Sequence, residues 1–301
     1  MTASQFDSLP DDEKRSVLVD ILQKREQAVQ NLQIDSETKV YNVQYRDGKA
    51  GELLEKITRY DCQLRRKDGS YWARIDYYRS KQPDRIQGRV FTAKEAKSEL
   101  VKSIARDGED GVNRAITAEE GNAMIQLGKY HYWFDASFDE AHEFPISFLL
   151  KHQDAIKFAG LSDDKQQVKI SLLYESADGT PFKDFRTLWL DPNKGFMPVR
   201  MQRRWEYALD PPFYSVLATE VKKLEQVDGI WFPTHLTLTC TGRVSEEKGY
   251  ATVYETTAGE IKLGKVTDVD LQEQFADWVA KEKPKPEPGK TVQPAASQPT
   301  P

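Results

Sequence analysis

Between Val168 and Leu263, apolar and polar residues alternate with a period of two, broken at intervals by turn residues. That rhythm constrains the chain more than any other feature. Side chains of a strand point alternately to its two faces, so such a segment builds a sheet with one dry face and one wet one. Val168, Ile170, Leu172 and Tyr174 alternate with polar neighbours, Ala177-Asp178-Gly179-Thr180 reads as a turn, and Phe185, Thr187 and Trp189 resume the pattern. After the loop 191–198, Val199, Met201, Arg203, Trp205 and Tyr207 share one face and Arg200, Gln202, Arg204 and Glu206 the other. Strands at about 215–226 and 230–241 flank Asp228-Gly229, a strong two-residue hairpin signal, and a further long strand covers 250–263.

The first half follows the same rule less cleanly. Period two runs from Ser36 to about Phe91, with Lys67-Asp68-Gly69-Ser70 as a turn ahead of the aromatic strand Tyr71–Tyr78. Residues 93–105 read as helical instead, with Ala96, Leu100, Val101 and Ile104 on one side. Short strands are expected at 123–127 and 130–134, and 143–150 is the most apolar short run, either a buried helical turn or a cover over an apolar opening.

Before the sheet, Val17, Leu18, Ile21, Leu22, Ala28, Val29 and Leu32 recur at spacings of three and four. This predicts one amphipathic helix of about six turns, with Pro10, Asp11, Asp12 and Glu13 in its first turn and Asp7 or Ser8 as its cap. Such a stripe ordinarily covers the protein's own sheet. Residues 1–10 are expected to be a flexible lead, 11–278 a single domain, and 279–301, where Lys, Glu and Pro alternate without apolar partners, a disordered polyproline-biased tail.

Composition narrows function mainly by exclusion. The 43 basic and 48 acidic residues leave a formal charge of -5 with no basic block, which argues against a nucleic-acid partner. Arg200–Arg204 is locally basic, but its charges alternate along a strand and read as a solvated face. No stretch approaches the roughly 18 to 20 apolar residues that span a bilayer, and the first residues lack a secretory pattern, which fits either a cytosolic chain or one whose leader was removed. Cys62 and Cys240 are too few and too far apart for a zinc site or redox motif; one disulfide and two buried thiols fit equally.

Chemistry leaves little trace. His131, His142, His152 and His235 show no metal-ligand spacing, and there is no GxSxG elbow, P-loop or GxGxxG. No cofactor, metal site or catalytic residue is therefore expected.

Three segments resemble the LolA/LolB/LppX-like superfamily of envelope lipid and lipoprotein carriers. They are the helix end Gln27-Ala28-Val29-Gln30-Asn31-Leu32, the hairpin Leu188-Trp189-Leu190-Asp191-Pro192-Asn193-Lys194-Gly195-Phe196-Met197-Pro198-Val199-Arg200, and the turn Val227-Asp228-Gly229-Ile230-Trp231-Phe232-Pro233. The resemblance implies an α+β fold, mainly antiparallel β: an open, incomplete barrel wrapped on the N-terminal helix and short helical inserts, its concavity receiving acyl chains. It also implies a periplasmic or envelope setting. On that reading the protein is a non-catalytic carrier or binding protein for lipid, lipoprotein acyl chains or another apolar ligand. Candidate lining residues are Trp189, Met201, Trp205, Leu236 and Leu238, with Phe148 and Leu149 as cover. Two other readings stand beside it: a sensor or scaffold that binds a protein partner on the same fold, and a hydrolase using His131, His142 or His235.

Overall fold

The computed structural model describes residues 1–29, 31–46, 49–50, 54–65, 70–79, 88–94, 101–108, 114–116, 149–150, 152–175, 182–207, 213–243, 248–264 and 269–280. Two helices, α1 (Ala3–Asp7) and α2 (Asp11–Ala28), precede the strands β1 (Leu32–Arg46), β2 (Lys49–Ala50), β3 (Leu54–Arg65), β4 (Tyr71–Arg79), β5 (Gly88–Lys94), β6 (Val101–Asp107) and β7 (Arg114–Ile116). A second series follows: β8 (Lys157–Leu161), β9 (Val168–Glu175), β10 (Phe182–Asp191), β11 (Met197–Tyr207), β12 (Phe213–Val227), β13 (Ile230–Arg243) and β14 (Lys248–Leu263), and then α3 (Val269–Ala280).

The strands form one antiparallel sheet in the order β7-β6-β5-β4-β3-β1-β14-β13-β12-β11-β10-β9-β8, with β2 paired to the end of β1. It is mainly antiparallel β with few helices, and it does not close into a barrel. Each half is a meander of sequence neighbours, as the turn signals predict. The halves are joined by one long-range pairing, β1 with β14, which runs from Leu32 opposite Leu263 to Arg46 opposite Lys248.

Two connections follow directly from local chemistry. Asp228 and Gly229 both take positive φ, 48° and 82°, and join Val227 to Ile230 in the two-residue geometry whose twist matches the flanking strands. Between β10 and β11, the Asp191 carboxylate accepts the Asn193 N–H at 3.0 Å, Pro192 opens a single 3₁₀ turn, and Gly195 takes φ 65°. Phe196 also has positive φ, 55°, which a side chain rarely adopts. Its ring is fully buried and packs on Phe6 at 4.7 Å, so burial holds the strained backbone in place.

α2 ends at Ala28, short of the expected six turns, so Leu32 begins β1 instead of extending the helix; the buried stripe is Lys14, Leu18, Leu22 and Arg25, continued by Val29. Ala28 is exposed: the stripe steps three residues from Leu22 to Arg25 and four more to Val29. Neither Asp7 nor Ser8 caps α2: Pro10 occupies that position without a side-chain bond, while Asp7 ends α1 and Ser8 follows it. The expected flexible lead thus contains a short helix, capped by Thr2 and anchored by Phe6. Lys14 lies 3.3 Å from Asp11 and 3.7 Å from Asp7, with its ammonium 5.6 Å from the Phe158 ring centre, so it buries its stem and keeps its charge paired.

The helical reading of 93–105 fails at 93–94 and 101–105, and 95–100 lie outside the described residues. Gly88–Lys94 and Val101–Asp107 are paired strands, Val90 opposite Ala105 and Phe91 opposite Ile104. All four are buried, two on each side of the sheet, so here the strands lack the dry-and-wet alternation that would mark them. The strands expected at 123–127 and 130–134, most of the run 143–150, the turns 67–69 and 177–180, and the tail from 281 lie outside the described residues.

Candidate functional site: the inner face of the sheet

Register assigns every strand residue to a face. The face covered by α1 and α2 is termed inner here. Across it runs one lateral row: Ile170, Leu188, Met201, Thr219, Leu238, Tyr254 and Val40, on β9, β10, β11, β12, β13, β14 and β1. Its ends differ in cover. Ile170 and Leu188 pack with Phe6, Leu18, Leu22 and Phe196, so α1, α2 and the β10–β11 turn close that part as ordinary core. By contrast, Val40, Leu217, Leu238 and Tyr254 form a cluster to which, among the described residues, no helix contributes. Farther along the same face, Ile75, Val90, Ala105 and Ile116 form a second cluster of strand residues.

α3 sits on the opposite face. Trp72, Phe91, Ala93 and Ile104, which point away from the inner side, pack with Phe275 and Trp278. The Trp278 ring contacts Phe91 edge-on at 4.8 Å, with the Arg89 and Arg106 guanidinium carbons each 5.7 Å from its centre. Arg89 is also bonded through two nitrogens to the Asp76 carboxylate. Among the described residues the two halves of the sheet are therefore covered by helices on opposite sides, and no helix residue joins the inner-face clusters Val40–Leu217–Leu238–Tyr254 and Ile75–Val90–Ala105–Ile116. α3 escaped the sequence reading, although Leu271, Phe275 and Trp278 carry a helical spacing just before the proline-rich stretch.

Placement of the candidate residues is uneven. Leu238 is fully buried within the strand cluster. Leu236, also buried, packs with Val29, Leu32, Met197 and Phe232. Met201 is half-buried and touches both of these clusters and the α1–α2 core, making it the junction of the inner face. Leu149 belongs to the core beneath α1 and α2 rather than to a cover over an opening. Trp205 pairs with Asp184 and Ser215 through its backbone, and its side chain and all of Phe148 lie outside the described residues.

Trp189 is misassigned. It alternates with buried Leu188 and Leu190 and so faces outward, its ring 4.5 Å from the Arg200 guanidinium carbon and 5.7 Å from the Lys169 ammonium. Size and aromaticity marked it as a lining residue; parity within β10 decides otherwise.

The inner face also carries polar groups. Arg186 and Arg203 stand directly opposite one another, both buried, beside Leu172 and Leu217. The hydroxyls of Thr38 and Thr256 bond at 3.0 Å in the next row, and Thr219 interrupts the apolar one. Arg25 donates to the Trp231 carbonyl at 2.6 Å and lies 5.5 Å from the Phe232 ring centre; burial lowers its pKa to about 10. The alternating pattern already placed Arg203 on the dry face, and a cation at such a position was the available signal for this polar stripe.

His235 lies 3.1 Å from Glu255 at the surface. His131 and His142 lie outside the described residues. Cys62 and Cys240 are both free thiols, and burial, with Asp35 alongside, pushes the Cys62 thiol up to about 12. Among the described residues no three His, Cys, Asp or Glu side chains gather as a metal site, and no helix is long and apolar enough to cross a membrane.

No family model matches the chain, and no curated protein does. Among solved structures, a DUF1329 family protein from Desulfovibrio piger aligns over 86% of this chain and 98% of its own at 13% identity, with a TM-score of 0.48. A mutant porin from Rh. blastica aligns over 76% of this chain and 99% of its own at 7% identity, with a TM-score of 0.24.

Proposed function

We propose that the protein is a non-catalytic carrier or binding protein of the cell envelope, which holds lipid, lipoprotein acyl chains or another apolar ligand against the inner face of its sheet. The supporting observation is the apolar strand cluster of Val40, Leu217, Leu238 and Tyr254, to which no described helix contributes, continued along the same face by Ile75, Val90, Ala105 and Ile116. An apolar sheet face accommodates a long flexible chain by lateral contacts alone, with few polar groups needed to orient it.

The test is native mass spectrometry, with lipid extraction, of the protein purified from a membrane-containing host. An acyl species at near-stoichiometric occupancy is expected, and Met201→Lys, which sets a cation at the junction of the three clusters, lowers that occupancy while the fold persists. A protein that emerges empty and refuses added palmitate and monoacylglycerol overturns the reading. In that event the buried Arg186, Arg203 and Thr38–Thr256 groups favour the scaffold alternative, because a polar, filled inner face suits a fixed core whose partner is another protein.

A further inference from the structure

The outer face of β9, β10 and β11 presents nine residues in a three-by-three lattice fixed by register. The rows are Lys169-Trp189-Arg200, Ser171-Thr187-Gln202 and Leu173-Phe185-Arg204. Not one is a carboxylate. Leu173 and Phe185, directly opposite each other, are 43% and 37% exposed, and they are two of the five large apolar side chains exposed among the described residues. Arg200 and Arg204 are exposed, and Trp189 lies between Lys169 and Arg200. Lys157 extends the patch opposite Ser171 on the edge strand β8. On the β12 side the carboxylate opposite Arg200, Glu220, is engaged by Lys222 at 2.5 Å. Acidic positions resume at the borders of the lattice, in the row Glu175-Lys183-Glu206 and at Asp191 beyond Trp189.

We propose that this outer face is a docking surface for an anionic lipid bilayer. The protein as a whole has a formal charge of -5, so an anionic surface repels it at long range. Screening confines charge interactions to about 8 Å at physiological salt, so at contact the charges of the docked face count for more than the net charge of the whole protein. Guanidinium and ammonium groups bind lipid phosphates, the Trp189 ring suits the headgroup region, and the Leu173–Phe185 pair enters the acyl boundary. The exposed apolar pair Leu173–Phe185 among cations distinguishes this surface from the outer positions of β12 and β14 around Lys222 and Lys262. The proposal is independent of what occupies the inner face.

The test is flotation of the full chain with phosphatidylcholine vesicles, pure or with part of the lipid replaced by phosphatidylglycerol. Binding to the anionic vesicles only, weakening as salt rises, is expected. Arg200→Gln and Arg204→Gln each lower it about fivefold. Phe185→Ser lowers it as well, while Lys262→Gln, on a distant strand, leaves it unchanged. Unchanged thermal transitions establish that the variants fold; should one fail, Gln202→Glu, at an exposed position in the middle row between Arg200 and Arg204, makes the same reading by adding a negative charge. Equal binding to both vesicle types, no binding, or indifference to the arginine substitutions overturns the proposal. So does arginine-dependent binding to polyglutamate without binding to vesicles, which assigns the surface to an acidic protein partner instead.

Discussion

Removal of the Trp278 ring tests whether α3 is an integral layer of the protein. Trp278 is 8% exposed and closes the outer face of β4–β6 together with Phe275. Trp278→Ala deletes a buried indole, a change that costs about 3–5 kcal/mol where the site cannot collapse. The ring lies on Phe91 and between two guanidinium groups, and each such contact adds about 0.5–1.5 kcal/mol beyond burial. α3 lies at the end of the domain and has room to relax, so we expect a loss of about 3 kcal/mol. With a urea slope of about 3 kcal/mol/M, the midpoint falls by about 1 M in equilibrium unfolding followed by circular dichroism. A double-mutant cycle with Phe91→Ala separates the ring-ring contact, expected at about 0.5–1.5 kcal/mol, from general destabilisation. A midpoint shift under about 0.3 M with zero coupling refutes the packing described for this face.

Two further predictions concern single positions. Gly229→Val forces a β-branched side chain into φ 82° and should lose about 1–2 kcal/mol in the same unfolding assay, whereas Asp228→Asn at φ 48° should be near neutral. The Cys62 thiol is raised to about 12, so the native state keeps its proton where the unfolded chain releases it. Stability from this group is complete below about pH 9 and is lost as pH rises toward 12; Cys62→Ala should flatten that slope, and native Cys62 should resist alkylation at pH 8 until the protein unfolds.

Local sequence determined the elements whose signals are self-contained. Asp228-Gly229 sets its hairpin because only those two residues must accept positive φ, and the α2 spacing sets a helix because its stripe repeats every three to four residues. The period-two pattern likewise fixed which residues of β9 to β14 share a face, Met201 with Arg203 and Arg200 with Gln202. Where strands are buried on both sides the pattern vanishes, which is why Val101–Asp107 was not read as a strand. Periodicity also carries no information about partners in space. That β1 lies beside β14, that α2 and α3 cover opposite faces, and that Trp189 turns outward to Arg200 while Leu238 turns inward depend on pairings between residues as much as about 230 positions apart. Sequence alone thus determined an antiparallel sheet with one long covering helix, and tertiary structure decided which face holds the apolar clusters and which presents the cationic lattice. The physical reason is that a strand's two faces are equivalent until another element buries one of them.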